Sequence, residues 1–301
     1  MARNVRWEHM FPDELNAALA EKPVVYLTYG LCEPHGPYNA VGLDALKVHR
    51  LACRAAEAHG GIVAPPFYWH VSEFGIEAKW ADETIGDLNP WLTDVPPWVL
   101  YRMFLYHLRA AAARGFKAAI VMSGHAPYGD DLRRISEIFV RHSPMRIWAG
   151  QDAEAVDQPT HDGGHAGKYE TSMLWALCPD LVDLSRIEWT NDGALSRVFA
   201  TGPEADQSSR RLGDQLVAER VDWLGRKADE LIAAWRAPAA PAAPTPGNPL
   251  GALTFEETER IWRDEIRPAL RDFPTFRELP PDERVAPESP WAPNETCAIY
   301  D

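Results

Sequence analysis

Glu33, His35 and Asp44 place two carboxylates and an imidazole within twelve residues, a set of hard oxygen and nitrogen donors that suits a divalent metal ion. Two later segments carry compatible chemistry. One is Ser123-Gly124-His125, and the other runs from His161 through Asp162, Gly163, Gly164, His165, Ala166, Gly167, Lys168 and Tyr169 to Glu170, Thr171 and Ser172. Ligands arriving from separate segments converge only if a rigid scaffold delivers them. Cys32, beside Glu33, reads as a small packing residue, with ligation or nucleophilic attack as its alternative.

The elements that would position these residues follow from the apolar pattern. The run Pro23-Val24-Val25-Tyr26-Leu27-Thr28-Tyr29 is β-branched and aromatic, which predicts a buried parallel strand ending at Gly30. Glu33 and His35 fall just past its C-terminal end, the edge on which open α/β sheets build their sites. Pro34, Gly36 and Pro37 forbid regular structure there. Leu43, Leu46, Val48, Leu51, Ala52 and Ala55 then predict a helix over 43–59, with Asp44 in its first turn and its carboxylate directed back toward the loop.

Gly60-Gly61 closes that helix and residues 62–64 predict a short second strand. Residues 67–97, with Tyr68, Trp69, His70, Trp80 and Trp91, read as one long irregular segment, and loops of that length are commonly functional. A helix over 96–114 ends at Gly115, and the strand 118–122 that follows delivers His125 to the same kind of edge position as Glu33 and His35. A helix over 129–141, a strand over 145–149, a Gly- and His-rich loop over 150–167, a helix from Glu170 to Leu177 and a long helix over 207–235 complete the alternation. Strands alternating with helices indicate an α/β protein with a mostly parallel sheet.

Composition sets the limits. A chain of 301 residues with 46% hydrophobic content can bury a large core. The net charge of -14 disfavours nucleic acid and anionic membrane as partners and leaves small molecules. Cys32, Cys53, Cys178 and Cys297 show no CxxC spacing, as expected of reduced thiols in a cytoplasmic protein. With no apolar leader and no run of 18 apolar residues, the chain reads as soluble and unexported. Residues 237–250 are rich in Pro and Ala and predict an extended linker. They separate a domain over 1–236 from a C-terminal extension over 251–301, a helix with Thr254 as its N-cap followed by an irregular tail that wraps the parent domain or a neighbouring subunit.

Taken together, Glu33-Pro-His35-Gly-Pro with Asp44 eleven residues after Glu33, Gly60-Gly61-Ile-Val-Ala-Pro-Pro66, Gly115-Phe116, Ser123-Gly124-His125 and His165-Ala-Gly-Lys-Tyr-Glu170-Thr-Ser172 resemble the creatininase (creatinine amidohydrolase) family over roughly residues 20–185. The resemblance implies a three-layer α/β/α sandwich, two divalent ions and hydrolysis of a cyclic or linear amide-type C–N bond, usually in a homo-oligomer such as a hexamer. Zinc or manganese is the implied metal, with iron as the alternative. Position by position, Glu33, His35, Asp44 and His125 match metal ligands, Asp44 as the bridge, while His165 matches a proton-transferring histidine and Glu170 the glutamate of the Glu-Thr-Ser motif.

Departures from the family pattern are informative. Pro34 and Tyr38 stand where the family commonly has Gln and a second His. Creatininase itself has a glutamate ligand two residues after the metal-binding histidine, and here that position is Pro127, which cannot ligate. Creatinine is therefore a poor substrate expectation. The second ion must take another donor, for which Glu170 is the choice and Asp130 and Asp131 the substitutes, although carboxylates at a helix start also serve its dipole. The expected reaction is attack by a metal-activated water on a small amide or lactam, with His165 passing a proton to the departing nitrogen. Trp69, Trp80, Trp91 and Trp98 supply candidate pocket walls. Two alternatives stand beside this reading: a deformylase or lactamase on the same scaffold, and a catalytically silent binding relative.

Overall fold

The computed structural model describes residues 3–71, 76–84, 93–126, 128–158, 164–236, 253–273, 280 and 284–289. The predicted linker, Trp91, Pro127, His161, Asp162 and Cys297 lie outside them. Four parallel strands form the sheet in the order β2-β1-β3-β4: β1 (Val24–Tyr29), β2 (Ile62–Val63), β3 (Ala118–Ser123) and β4 (Arg146–Gln151). Val24 through Tyr29 pair in register with Ala118 through Ser123, so the two strands end level. Both are buried along their whole length, which is why they read as unbroken apolar runs rather than alternating ones.

The period-two geometry of β1 and β3 sorts their side chains onto two faces. Val25, Leu27, Tyr29, Ala119 and Val121 enter one core cluster with α1 (Pro12–Glu21), α4 (Pro97–Arg114) and α5 (Gly129–Phe139). Val24, Tyr26, Ala118, Ile120 and Met122 enter the other with α2 (Leu43–His59), Met173 of α6 (Lys168–Leu177) and the long helix α7 (Arg210–Arg236). The result is the expected three-layer α/β/α sandwich.

One region differs from the sequence-based expectation. The segment 67–97 contains a helix, α3 (Ile76–Thr84). Among its described side chains the buried ones are the alanines Ala78 and Ala81, too small to produce a visible apolar stripe. Residues 253–273 pack on the parent core through Ile261, Trp262, Ile266, Leu270 and Phe273. Helix α8 (Phe255–Ile261) begins with a capping box in which Glu257 N–H donates to Thr254 Oγ1 at 3.1 Å and Thr254 N–H to a Glu257 oxygen at 2.8 Å.

A candidate metal centre at the strand ends

The level ends of β1 and β3 face the first turn of α2 without an intervening side chain. A Cβ on Gly30 would lie 2.4 Å from Ala45 N, and one on Gly124 would lie 2.2 Å from the Asp44 carbonyl oxygen. Only glycine permits this approach, and it sets Asp44 directly between the loop after β1 and the loop after β3.

Glu33, His35, Asp44, His125 and Glu170 are all buried and meet here. His35 Nε2 lies 3.1 Å from Asp44 Oδ1, 3.7 Å from Glu33 Oε1 and 3.8 Å from Glu170 Oε2. His125 Nδ1 lies 3.1 Å from Glu33 Oε1 and 3.3 Å from Asp44 Oδ2. Two sets of three ligand atoms, Glu33/Asp44/His125 and His35/Asp44/Glu170, each fall within 4.8 Å and share Asp44; Glu33/His35/His165 forms a third. The aim of His35 is fixed from behind, because its Nδ1–H donates to the Glu33 carbonyl at 3.1 Å and leaves the Nε2 lone pair facing the carboxylates.

Inside the cluster His125 Nδ1 and Glu33 Oε1 are hydrogen-bonded at 3.1 Å, but other polar atoms are left over. Among the described residues Glu33 Oε2, His35 Nε2 and Asp44 Oδ2 are buried and make no hydrogen bond. Buried polar atoms held at ion-pair distance without hydrogen-bond geometry fit a common cation, which takes lone pairs from several directions at once. Charge agrees with geometry. Burial works against a charged His35, yet Asp44, Glu170 and Glu33 raise its imidazole to about 9. Burial likewise opposes a charged Asp44, and His35 and His125 overcome it to hold the carboxyl well below its ordinary range. A field that favours a proton on His35 also favours a metal ion that replaces the proton.

Around this cluster the Glu170-Thr171-Ser172 motif divides its tasks. Glu170 faces the site, its Oε2 accepting from Ala166 N–H at 2.8 Å and its Oε1 from Lys47 Nζ at 2.6 Å. Thr171 receives a hydrogen bond from Asn39 at 2.9 Å, and Ser172 accepts from Ser209 N–H next to the start of α7. Tyr38, the departure from a second histidine, donates to the Ala166 carbonyl at 2.6 Å and so ties the His165 loop to the loop after β1. His165 stacks on His35 with centroids 4.2 Å apart, and Trp80 meets it edge-on at 5.0 Å.

Most of the other candidates lie away from the cluster. Asp130 turns outward to Arg133 at 2.5 Å, and Asp131 is buried against Tyr101, so neither reaches the cluster. Of the tryptophans named from sequence, Trp80 lines the cavity, while Trp69 is exposed and Trp98 packs against the core on the opposite face of the sheet. Cys32 is half-buried with its backbone N–H on Thr93, and its thiol joins no ligand set.

The cavity above the cluster has a volume of about 310 Å³ and also presents Lys47, Asp152 and Arg220, three residues not expected from sequence. Lys47 lies three residues after Asp44 on one helical face, and Asp152 directly follows β4, so both carried a readable signal. Arg220 carried none, since an arginine four residues from both Leu216 and Leu224 on the buried stripe of α7 reads as a side chain reaching past the core. Lys47 Nζ bridges Glu170 and Asp152, at 2.6 and 3.3 Å. Burial opposes its charge, but the two carboxylates raise its pKa above the ordinary lysine value.

A family model described as Creatininase: Creatinine amidohydrolase matches residues 8–227. The creatinine amidohydrolase of Pseudomonas putida is 26% identical over 184 residues, 54% of this chain and 68% of its own. A creatininase in an Mn form is similar with a TM-score of 0.60 at 21% identity, covering 76% of this chain and 98% of that one. A glutamate-to-glutamine variant of creatininase, of Zn-Zn type, gives 0.60 at 20% identity with the same coverage. At these identities the structural likeness speaks for the fold.

Proposed function

The chain belongs to the creatininase (creatinine amidohydrolase) family, and on that premise we propose that it is a metal-dependent amidohydrolase acting on a small cyclic or linear amide other than creatinine. The observation that carries the proposal is the pair of ligand sets, Glu33/Asp44/His125 and His35/Asp44/Glu170, that share one buried carboxylate. Glu33 and His125 would hold one divalent ion, His35 and Glu170 the other, and Asp44 both. Zinc and manganese are the proposed metals, and the state in solution is a homo-oligomer. Bound there, such ions polarise an amide carbonyl and lower the pKa of water toward neutrality.

The chain's own side chains supply the remaining steps. His35, Asp44 and Glu33 are buried and already face one another. His165 Nε2–H donates to the Pro34 carbonyl at 2.8 Å, which leaves Nδ1 to carry a proton over the cavity to the departing nitrogen. Burial lowers the pKa of His165, with His35 adding to the effect, which disfavours a resting charge on the ring. Trp80 and Tyr169 wall the cavity and limit the water that reaches the reacting bond.

The test combines metal analysis of the protein as isolated with hydrolysis assays on hydantoins, lactams and N-formyl amines, before and after chelation. Stoichiometric metal, and amide hydrolysis abolished by chelation and restored by zinc or manganese, support the reading. Absence of bound metal together with no gain in thermal stability on adding either ion would overturn it in favour of a silent binding relative.

A further inference from the structure

Arg220 is the feature of the cavity that hydrolysis alone leaves unexplained. It sits mid-helix on α7 and is 5% exposed. Its Nε donates to the Asp152 carbonyl at 3.0 Å and its Nη1 to the Leu216 carbonyl at 3.2 Å. Among the described residues Nη2 has no hydrogen-bond partner, and no carboxylate lies within ion-pair distance of the guanidinium. The Asp152 carboxylate feels the Arg220 charge through space but pairs directly with Lys47, so the guanidinium keeps a side suited to a planar two-oxygen anion. Lys47 differs in that Asp152 and Glu170 already saturate it.

The charges lining the cavity point the same way. Glu33, Asp44, Asp152 and Glu170 supply four negative charges against the two positive charges of Lys47 and Arg220. Two divalent ions on the ligand sets would turn that deficit of two into an excess of two. With a hydroxide added the site would keep one positive charge, and Arg220 is the lining cation that, among the described residues, forms no ion pair. Two short links, Asp152 and Lys47, connect Arg220 to Glu170, so the guanidinium is set back from the ligand cluster but opens on the same space.

We propose that Arg220 anchors a carboxylate of the substrate, so that the amide or lactam cleaved at the metal cluster belongs to a carboxylate-bearing molecule. This rests on the hydrolase reading above. The guanidinium would take the carboxylate through Nη2 and, by releasing the Leu216 carbonyl, Nη1, a bidentate pair. The cavity volume of about 310 Å³ lies at the small end of the range for ligand pockets, which fits a compact acid rather than a peptide.

Titration calorimetry on the metal-loaded protein with pyroglutamate and with its neutral amide, pyroglutamamide, tests this. Wild type is expected to bind the acid about 10-fold or more tightly than the amide, the yield of one charge-assisted pair. Arg220→Gln should erase that preference while leaving pyroglutamamide binding unchanged, and Arg220→Lys should restore part of it. Because a carboxylate also coordinates metal, the same titrations on metal-stripped protein must retain the Arg220-dependent difference. Equal or absent binding of both probes by wild type, or a parallel loss of both in Arg220→Gln, overturns the proposal. Metal content is measured on every sample, so failure of the hydrolase reading is recognised separately, as absence of metal.

Discussion

His165 gives its Nε2–H to the carbonyl oxygen of Pro34 at 2.8 Å and turns Nδ1 toward Glu33 Oε1, 3.7 Å away. A carbonyl can only accept, so this contact sets the tautomer as well as the position of the ring. The residue that replaces the usual glutamine thus contributes through its backbone, and its side chain is irrelevant to the contact. His165→Gln, which can still reach Pro34 with an amide N–H but lacks a second nitrogen, is expected to keep its metals and lose about 10²- to 10⁴-fold in kcat. Metal analysis alongside the assay checks this, and loss of an ion in that variant would make His165 a ligand.

Asp44 and Glu170 should separate under mutation. Asp44→Ala is expected to lower occupancy of both ions, because one carboxylate serves two ligand sets. Glu170→Gln should weaken only the ion shared with His35, leaving two unequal events in a metal titration. If both events survive Glu170→Gln unchanged, Glu170 is only the partner of Lys47 and of the Ala166 amide.

Lys47 makes a prediction about stability. Lys47→Met leaves Asp152 and Glu170 buried without their cation and is expected to cost about 3–5 kcal/mol in denaturant unfolding at neutral pH. Adding Asp152→Asn to Lys47→Met should recover part of the loss, since it removes one of the two stranded charges. Additive losses in the double variant would show that Lys47 contributes packing rather than charge compensation.

His49 offers a pH test away from the ligand cluster. Burial, with Arg6 adding to it, lowers this imidazole from 6.5 to about 4. Between those values the unfolded chain binds a proton that the folded chain does not, so the stability due to uncharged His49 is complete above pH 6.5 and is lost as pH falls toward 4. Wild type should therefore lose Tm over that interval more steeply than His49→Gln. Parallel Tm curves for the two proteins would remove His49 from the acid response.

Much of this was readable in the sequence, for a physical reason. Strand β1, strand β3 and the helix 43–59 are long, strongly apolar and bounded by glycine or proline, so their positions fix where Glu33, His35, Asp44 and His125 emerge. Helix 76–84 was hidden because alanines do its packing. Arg220 was hidden because a single arginine among leucines on a long helix is normally a side chain that reaches past the core to water, and only tertiary structure reveals that here it ends inside a cavity. Asp130 and Asp131 look like ligand candidates by position, yet the turn of α5 directs them to Arg133 and Tyr101.

The backbone contact of Gly30 and Gly124 with the first turn of α2 has a consequence for how the site exchanges its contents. Three main-chain segments touch there with no side chain to swing aside, so that half of the cavity behaves as a fixed anvil. Traffic must pass on the opposite side, where His165, Trp80 and the left-handed Ala166 form a wall held by a few hydrogen bonds. The amide proton of Leu46, held by the Gly42 carbonyl at 3.0 Å, should then exchange with solvent more slowly than that of Ala166, whose acceptor is a side chain, Glu170.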